Sequence, residues 1–140
     1  MQRRSLHILL HWSVVFLILA MVKGGSAAPG LRWTYVGVVA LWVGIALVRG
    51  PIGRPGPKLS PATRAAYRPA PWGIYAVLAV SAALNLAELM GWAEPGAAWV
   101  SLLVLLSIGA LHGLFQFWRH TVLLDNALRL ILPKAVHRFL

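Results

Sequence analysis

Four apolar runs, each about as long as a bilayer is thick, decide most of what this chain can become. They cover roughly residues 5–22, 31–48, 72–92 and 98–118, and the charged residues inside them are Arg32 and Glu88 alone. As α-helices, runs of this length span about 27–32 Å, which matches a hydrocarbon core of about 30 Å. A helix satisfies its own backbone amides, so it is the natural way for such a run to sit in lipid. Composition agrees: 59% of the residues are hydrophobic and 11% charged, against roughly 45–50% and 25% in soluble chains. The expected fold is all-α, an integral membrane up-and-down four-helix bundle forming one domain over residues 1–140, with residues 119–140 as a tail. Arg3 and Arg4 give the first run the look of a signal peptide. Without a convincing cleavage site and with two histidines inside, it is read as a helix of the mature chain.

Of the thirteen basic residues, which bring the formal charge to +10, all but Arg32 lie outside the apolar runs. They do not form the single stripe that nucleic acid would ask for, so topology explains them and nucleic acid is not an expected partner. With the amino terminus inside, the inner face receives Arg3, Arg4, Arg49, Arg54, Lys58, Arg64, Arg68, Arg119, Arg129, Lys134 and Arg138, and the outer face Lys23 and Arg32. By the positive-inside rule both termini are cytoplasmic. Trp33, Trp72, Trp92, Trp99 and Trp118 fall at the ends of the runs, as an interfacial aromatic belt requires, while Trp12 and Trp42 lie deeper as packing residues. The outer turns, residues 23–30 and 93–97, are short and favour antiparallel neighbours.

The inner connection, residues 49–71, holds six of the nine prolines. It is expected to be an extended basic loop, because proline removes an amide donor and restricts the residue before it. Gly37 and Gly44 share a face of the second run and suit close helix approach. Beyond the last run, Asp125 or Asn126 is placed to cap a short amphipathic segment that runs to Leu132 along the inner membrane surface and ends at Pro133.

The chemistry rests on histidine. The absence of cysteine excludes disulfides, thiolate-bound iron–sulfur clusters and covalent haem attachment. The histidines are His7, His11, His112, His120 and His137, so the second and third runs offer no imidazole. His11 lies seven residues after Arg4 and His112 seven before Arg119, so each sits roughly 10 Å from its inner basic anchor. Two imidazoles at one depth on facing helices suit bis-histidine ligation of one haem b. Haem is the better reading of the pair on spacing, with hydrogen bonding to Ser, Thr or Gln as interhelical glue the alternative. A structural zinc ion would want more ligands. Around a haem here the expected residues are His7, Trp12, Gly109 and Gly113, whose missing side chains leave room for a flat ring, with Gln116, Arg119 and His120 toward the inner end. Arg3, Arg4 and Arg119 would balance propionates. Asn85 and Glu88 lie three apart near the outer end of the third run, where Glu88 is expected to pair with Lys23 or Arg32, a quinone contact being the alternative. No Ser-His-Asp set, carboxylate pair or phosphate loop is present.

Leu10-His11-Trp12, Gly109-Ala110-Leu111-His112, the thirteen-residue interval from His112 to Asp125, and Asp125-Asn126-Ala127-Leu128-Arg129 leading to Pro133 together resemble the bacterial cytochrome b561 family. The resemblance implies a four-helix b-type cytochrome of the bacterial inner membrane, exchanging electrons with quinone such as ubiquinone, with His11 and His112 as axial ligands of the haem nearer the cytoplasm. Family members commonly hold a second, outer haem. The positions that would ligate it read Trp33-Thr34-Tyr35 and Ala97-Ala98-Trp99 here, and the inner start of the third run, often a further histidine, reads Ala70-Pro71-Trp72. One haem is therefore expected, in a cytochrome that works with quinone or as a small subunit of a larger electron-transfer complex. The alternative is an accessory or assembly subunit in which haem is structural or absent.

Overall fold

Each apolar run closes its amide hydrogen bonds within a helix. The computed structural model describes residues 3–24, 28–53, 55–67 and 69–139. They form α1 (Arg3–Gly24), α2 (Pro29–Arg49), a short α3 (Pro61–Tyr67), α4 (Ala70–Leu89) and α5 (Ala97–Thr121). No strand occurs among the described residues, and four of the helices are long and apolar enough to cross a membrane. Residues 25–27 of the first outer turn, Arg54 and Arg68 of the inner basic set, and Leu140 of the tail lie outside the described residues.

The four long helices pack in a ring. Contact is extensive from α1 to α2, α2 to α4 and α4 to α5, and much thinner where α5 returns to α1. Neighbours are antiparallel: Arg3 at the start of α1 donates to the carbonyls of Arg49 and Gly50 at the end of α2, and Arg32 at the start of α2 reaches Glu88 at the end of α4. Buried residues fall three or four apart, the spacing that keeps one face of a helix toward its neighbours. They are Leu10, Val14, Ile18 and Met21 on α1, Tyr35, Val39, Trp42 and Ala46 on α2, and Tyr75, Leu78 and Ala82 on α4. Large apolar side chains point outward on every long helix, among them Phe16, Leu47, Val80 and Leu111, as lipid contact demands.

Helix α4 stops three residues short of the end of its apolar run. Gly91 takes φ 70°, Trp92 N–H donates to the Ala87 carbonyl at 2.8 Å and Gly91 N–H to that of Glu88 at 3.1 Å. This paired closure is a Schellman motif, which needs the left-handed residue that glycine supplies most cheaply.

Three expectations change. The inner connection is not wholly extended, because Pro61–Tyr67 is helical. Ser60 Oγ accepts from the Thr63 amide at 3.2 Å, and a serine N-cap followed by proline at the first helical position starts a helix despite the surrounding prolines. Gly37 and Gly44 face open space, with nothing within 4 Å of a Cβ placed there, so they bring no helix close. The tail forms two 3₁₀ segments, Ala127–Leu130 and Lys134–Phe139, so helical structure resumes after Pro133, where the expected segment ends. Asp125 Oδ1 accepts from the Ala127 amide at 3.1 Å, whereas Asn126, at φ 60°, makes no capping bond.

Candidate functional site

The first and last long helices supply His7, His11, His112 and His120, and the thin contact between these helices defines a seam. On α1, His7 and His11 are one turn apart with ring centroids at 6.4 Å. Trp42 of α2 sits edge-on to both, at 5.4 Å from His7 and 5.9 Å from His11, and Tyr75 of α4 continues the cluster at 5.5 Å from Trp42. His7 is anchored, since Trp42 Nε1–H donates to its Nδ1 at 3.3 Å. His11 is not. Its Nδ1 is buried without a hydrogen-bond partner, while Trp12 packs perpendicular to its ring at 5.5 Å. A buried imidazole nitrogen left unpaired normally costs on the order of 1–3 kcal/mol, so its vacancy asks for an explanation.

On α5 the inward stripe runs through positions 98, 102, 105, 109, 112, 116 and 119, alternating steps of four and three. Ala98, Leu102, Leu105, Gln116 and Arg119 are buried, but Gly109 is exposed and His112 only half-buried. The stripe is thus open at the two positions singled out in the sequence. A Cβ at Gly109 or Gly113 would meet nothing within 4 Å. His112 makes no hydrogen bond among the described residues, and it lies within electrostatic range of His11. The interhelical hydrogen bonds that would make either histidine structural glue are therefore not formed.

The remaining expected neighbours are placed differently. Trp12 is more than packing, because its Nε1–H donates to the Ile131 carbonyl at 2.9 Å and ties α1 to the tail. His120 is half-buried, with Nδ1 unpartnered. Arg119 is 2% exposed and engaged within the chain. Its Nε and Nη2 each lie 2.7 Å from Asp125 Oδ2, Nη1 donates to Gln116 Oε1 at 3.1 Å, and the guanidinium stacks 4.9 Å from the Tyr67 ring. Its charge is balanced within the chain, which leaves Arg3 and Arg4 as the cations at the inner end of the seam. Sequence reasoning did not find this Tyr67–Gln116–Arg119–Asp125 cluster, although Asp125 is the sole carboxylate between residue 95 and the end of the sequence.

The other half of the bundle is filled by polar contacts. Arg32 donates to Asn85 Oδ1 at 3.1 Å and pairs with Glu88 at 2.8 Å, which selects Arg32 over Lys23 as the Glu88 partner. Glu88 Oε1 also accepts from the Gly96 and Ala98 amides at 3.0 and 2.7 Å, placing a carboxylate at the positive end of α5. Tyr35 donates to Ser81 at 3.0 Å, and Ser101 reaches the same hydroxyl at 3.1 Å. With all these groups engaged, Glu88 serves as a structural staple between α2, α4 and α5.

No group of three or more potential metal ligands occurs among the described residues. Comparison with protein-family models, with curated proteins and with solved structures finds no match to this chain.

Proposed function

We propose that the chain is a membrane b-type cytochrome in which His11 and His112 would hold one haem at the α1–α5 seam. The observation that carries the reading is the interrupted stripe of α5: it is buried above and below Gly109 and His112 and open at both, opposite a His11 whose buried nitrogen has no partner. When bound, haem would supply reversible one-electron chemistry. The residues of the chain hold and shield it. Two imidazoles offer neutral nitrogen ligands, Trp12 and Trp42 exclude water around His11, and Gly109 and Gly113 keep the α5 backbone bare. Arg3 and Arg4 present positive charge toward the propionate side, their own hydrogen bonds going to carbonyls, which leave that charge unneutralised.

The polar network of Arg32, Tyr35, Ser81, Asn85 and Glu88 occupies the other half of the bundle, which supports a single haem. In this reading both termini face the cytoplasm of a bacterium, the membrane is the inner one, and electrons pass to or from quinone or within a larger membrane complex. The test is a dithionite-reduced minus oxidised spectrum of the purified chain with a haem-to-protein ratio. One haem per chain is expected, with the bis-histidine signal lost in His11→Ala and in His112→Ala. A full signal in both variants sinks the ligand assignment, and a ratio near two sinks the single-haem reading. Absence of haem from the native chain returns it to the class of accessory subunits.

A further inference from the structure

At the end of the bundle that carries the described termini lies an open cleft of about 660 Å³, within the range of roughly 300–1,000 Å³ usual for small-molecule sites. The proline-rich inner loop forms one wall at Gly56, and the turn after α5 with the 3₁₀ tail forms the other. Arg4, Arg129 and His137 line it, together with the Arg119–Asp125 pair.

The charges do not cancel. Asp125 is matched by Arg119 at 2.7 Å. Glu88 is bound to Arg32 near the opposite end of the bundle, and Glu94 lies in the turn between α4 and α5 at that same end. Arg4 gives Nη2 to the carbonyls of Arg129 and Leu132 at 2.6 and 2.9 Å and lies 3.2 Å from His137 Nε2. These contacts orient the guanidinium without neutralising it. The Arg129 side chain makes no hydrogen bond among the described residues. Arg4 and Arg129 thus both line a cleft with no free side-chain carboxylate among the described residues, an arrangement suited to phosphate oxygens.

We propose that this cleft binds the headgroup phosphate of an anionic membrane phospholipid. Three observations favour a lipid over a soluble ion. The cleft lies just beyond the start of α1 and the end of α5, at headgroup level for a chain whose helices span the bilayer. It is far larger than one phosphate needs. Its surroundings are also apolar and bare, with Val122 63% and Leu124 68% exposed on the turn leaving α5, where acyl chains would lie. Basic pockets at the membrane surface between helices are the usual form of such sites.

The full chain, purified in detergent, is titrated with phosphatidylglycerol or phosphatidylcholine in mixed micelles, and retained lipid is counted by native mass spectrometry. The native chain should prefer phosphatidylglycerol. Arg129→Gln should lower that preference roughly tenfold, the loss of one charged hydrogen-bond partner, and Arg129→Lys should keep most of it. Because the Arg129 side chain holds nothing in the fold, this loss is not an unfolding effect, which circular dichroism checks. Lys58→Gln removes an exposed charge outside the cleft and should change the preference less than about twofold. An equal loss in Lys58→Gln, or none in Arg129→Gln, overturns the site. Displacement of phosphatidylglycerol by inorganic phosphate at matched concentration overturns the lipid assignment in favour of a soluble anion. None of these outcomes depends on haem or its ligands.

Discussion

Asp125→Asn removes one charge and almost no volume, so it isolates what the carboxylate does at the basic end. In the native chain Oδ2 faces two guanidinium N–H groups at 2.7 Å and Oδ1 accepts from the Ala127 amide at 3.1 Å. An asparagine has one acceptor oxygen, so it either turns its NH₂ toward Arg119 or turns it toward the Ala127 N–H. Both leave a donor facing a donor. With the NH₂ toward Arg119, that residue, 2% exposed, keeps Gln116 and the Tyr67 and Phe115 rings. Breaking a buried pair from one side costs about 3–5 kcal/mol. The retained partners and the adjoining cleft place this case near the lower end, about 3 kcal/mol, or somewhat over a hundredfold in the folding equilibrium. Reversible unfolding in mixed micelles, followed by circular dichroism, measures it. Arg119→Met, Asp125→Leu and the double variant Arg119→Met/Asp125→Leu form a cycle on the same pair. The double variant should cost less than the sum of the two singles, because an apolar pair replaces a buried ionic one. A cost for Asp125→Asn below about 0.5 kcal/mol, the range of ordinary surface substitutions, would refute the claim that the pair is buried and coupled.

Glu88→Gln should destabilise the opposite end by a similar amount, about 3 kcal/mol, since Arg32 is 8% exposed and the α5 amides lose a negative partner. The same unfolding assay reads it. Trp12→Phe keeps the ring contact and deletes the 2.9 Å bond to Ile131, which should cost about 1 kcal/mol and raise the rate of proteolytic cleavage in residues 122–132. Gly56→Ala places a methyl group against the Asp125 carboxylate and 2.9 Å from Arg119 Nη2. It should cost about 1–3 kcal/mol and expose the inner loop to the same protease.

The long helices were legible because hydropathy acts locally: every residue of a membrane span reports the same solvent, so length and apolarity suffice. The Arg32–Glu88 pair was legible too, as charges near one end of two antiparallel helices have few other partners. Helix α3 was missed although Ser60-Pro61 is a helix start, because six prolines in 23 residues argued for extension and the capping serine was not weighed against them. The 3₁₀ geometry of the tail was not legible because its packing comes from Arg4 and Trp12, more than a hundred residues away. No periodicity encodes such a contact. At the seam, the spacing of His11 and His112 was readable, but the opening in the α5 stripe was not, because glycine and histidine at stripe positions read equally well as packed or bare. Gly37 and Gly44 show the same ambiguity resolved the other way.

The contacts that tie Arg4 and Trp12 to residues 129–132 join parts of the chain made at very different times. At about 5–20 residues per second, residue 131 leaves the ribosome roughly 5–20 s after α1 is complete. Until then Arg4 and Trp12 lack their tail carbonyls and the inner loop lacks Asp125, so when α5 is complete at Thr121 its edge with α1, the thinnest of the four, still lacks these ties. The tail therefore works as a clasp that closes after α5 has been inserted, and a chain stalled before residue 125 would sit in the membrane with the histidine-bearing edge still ajar.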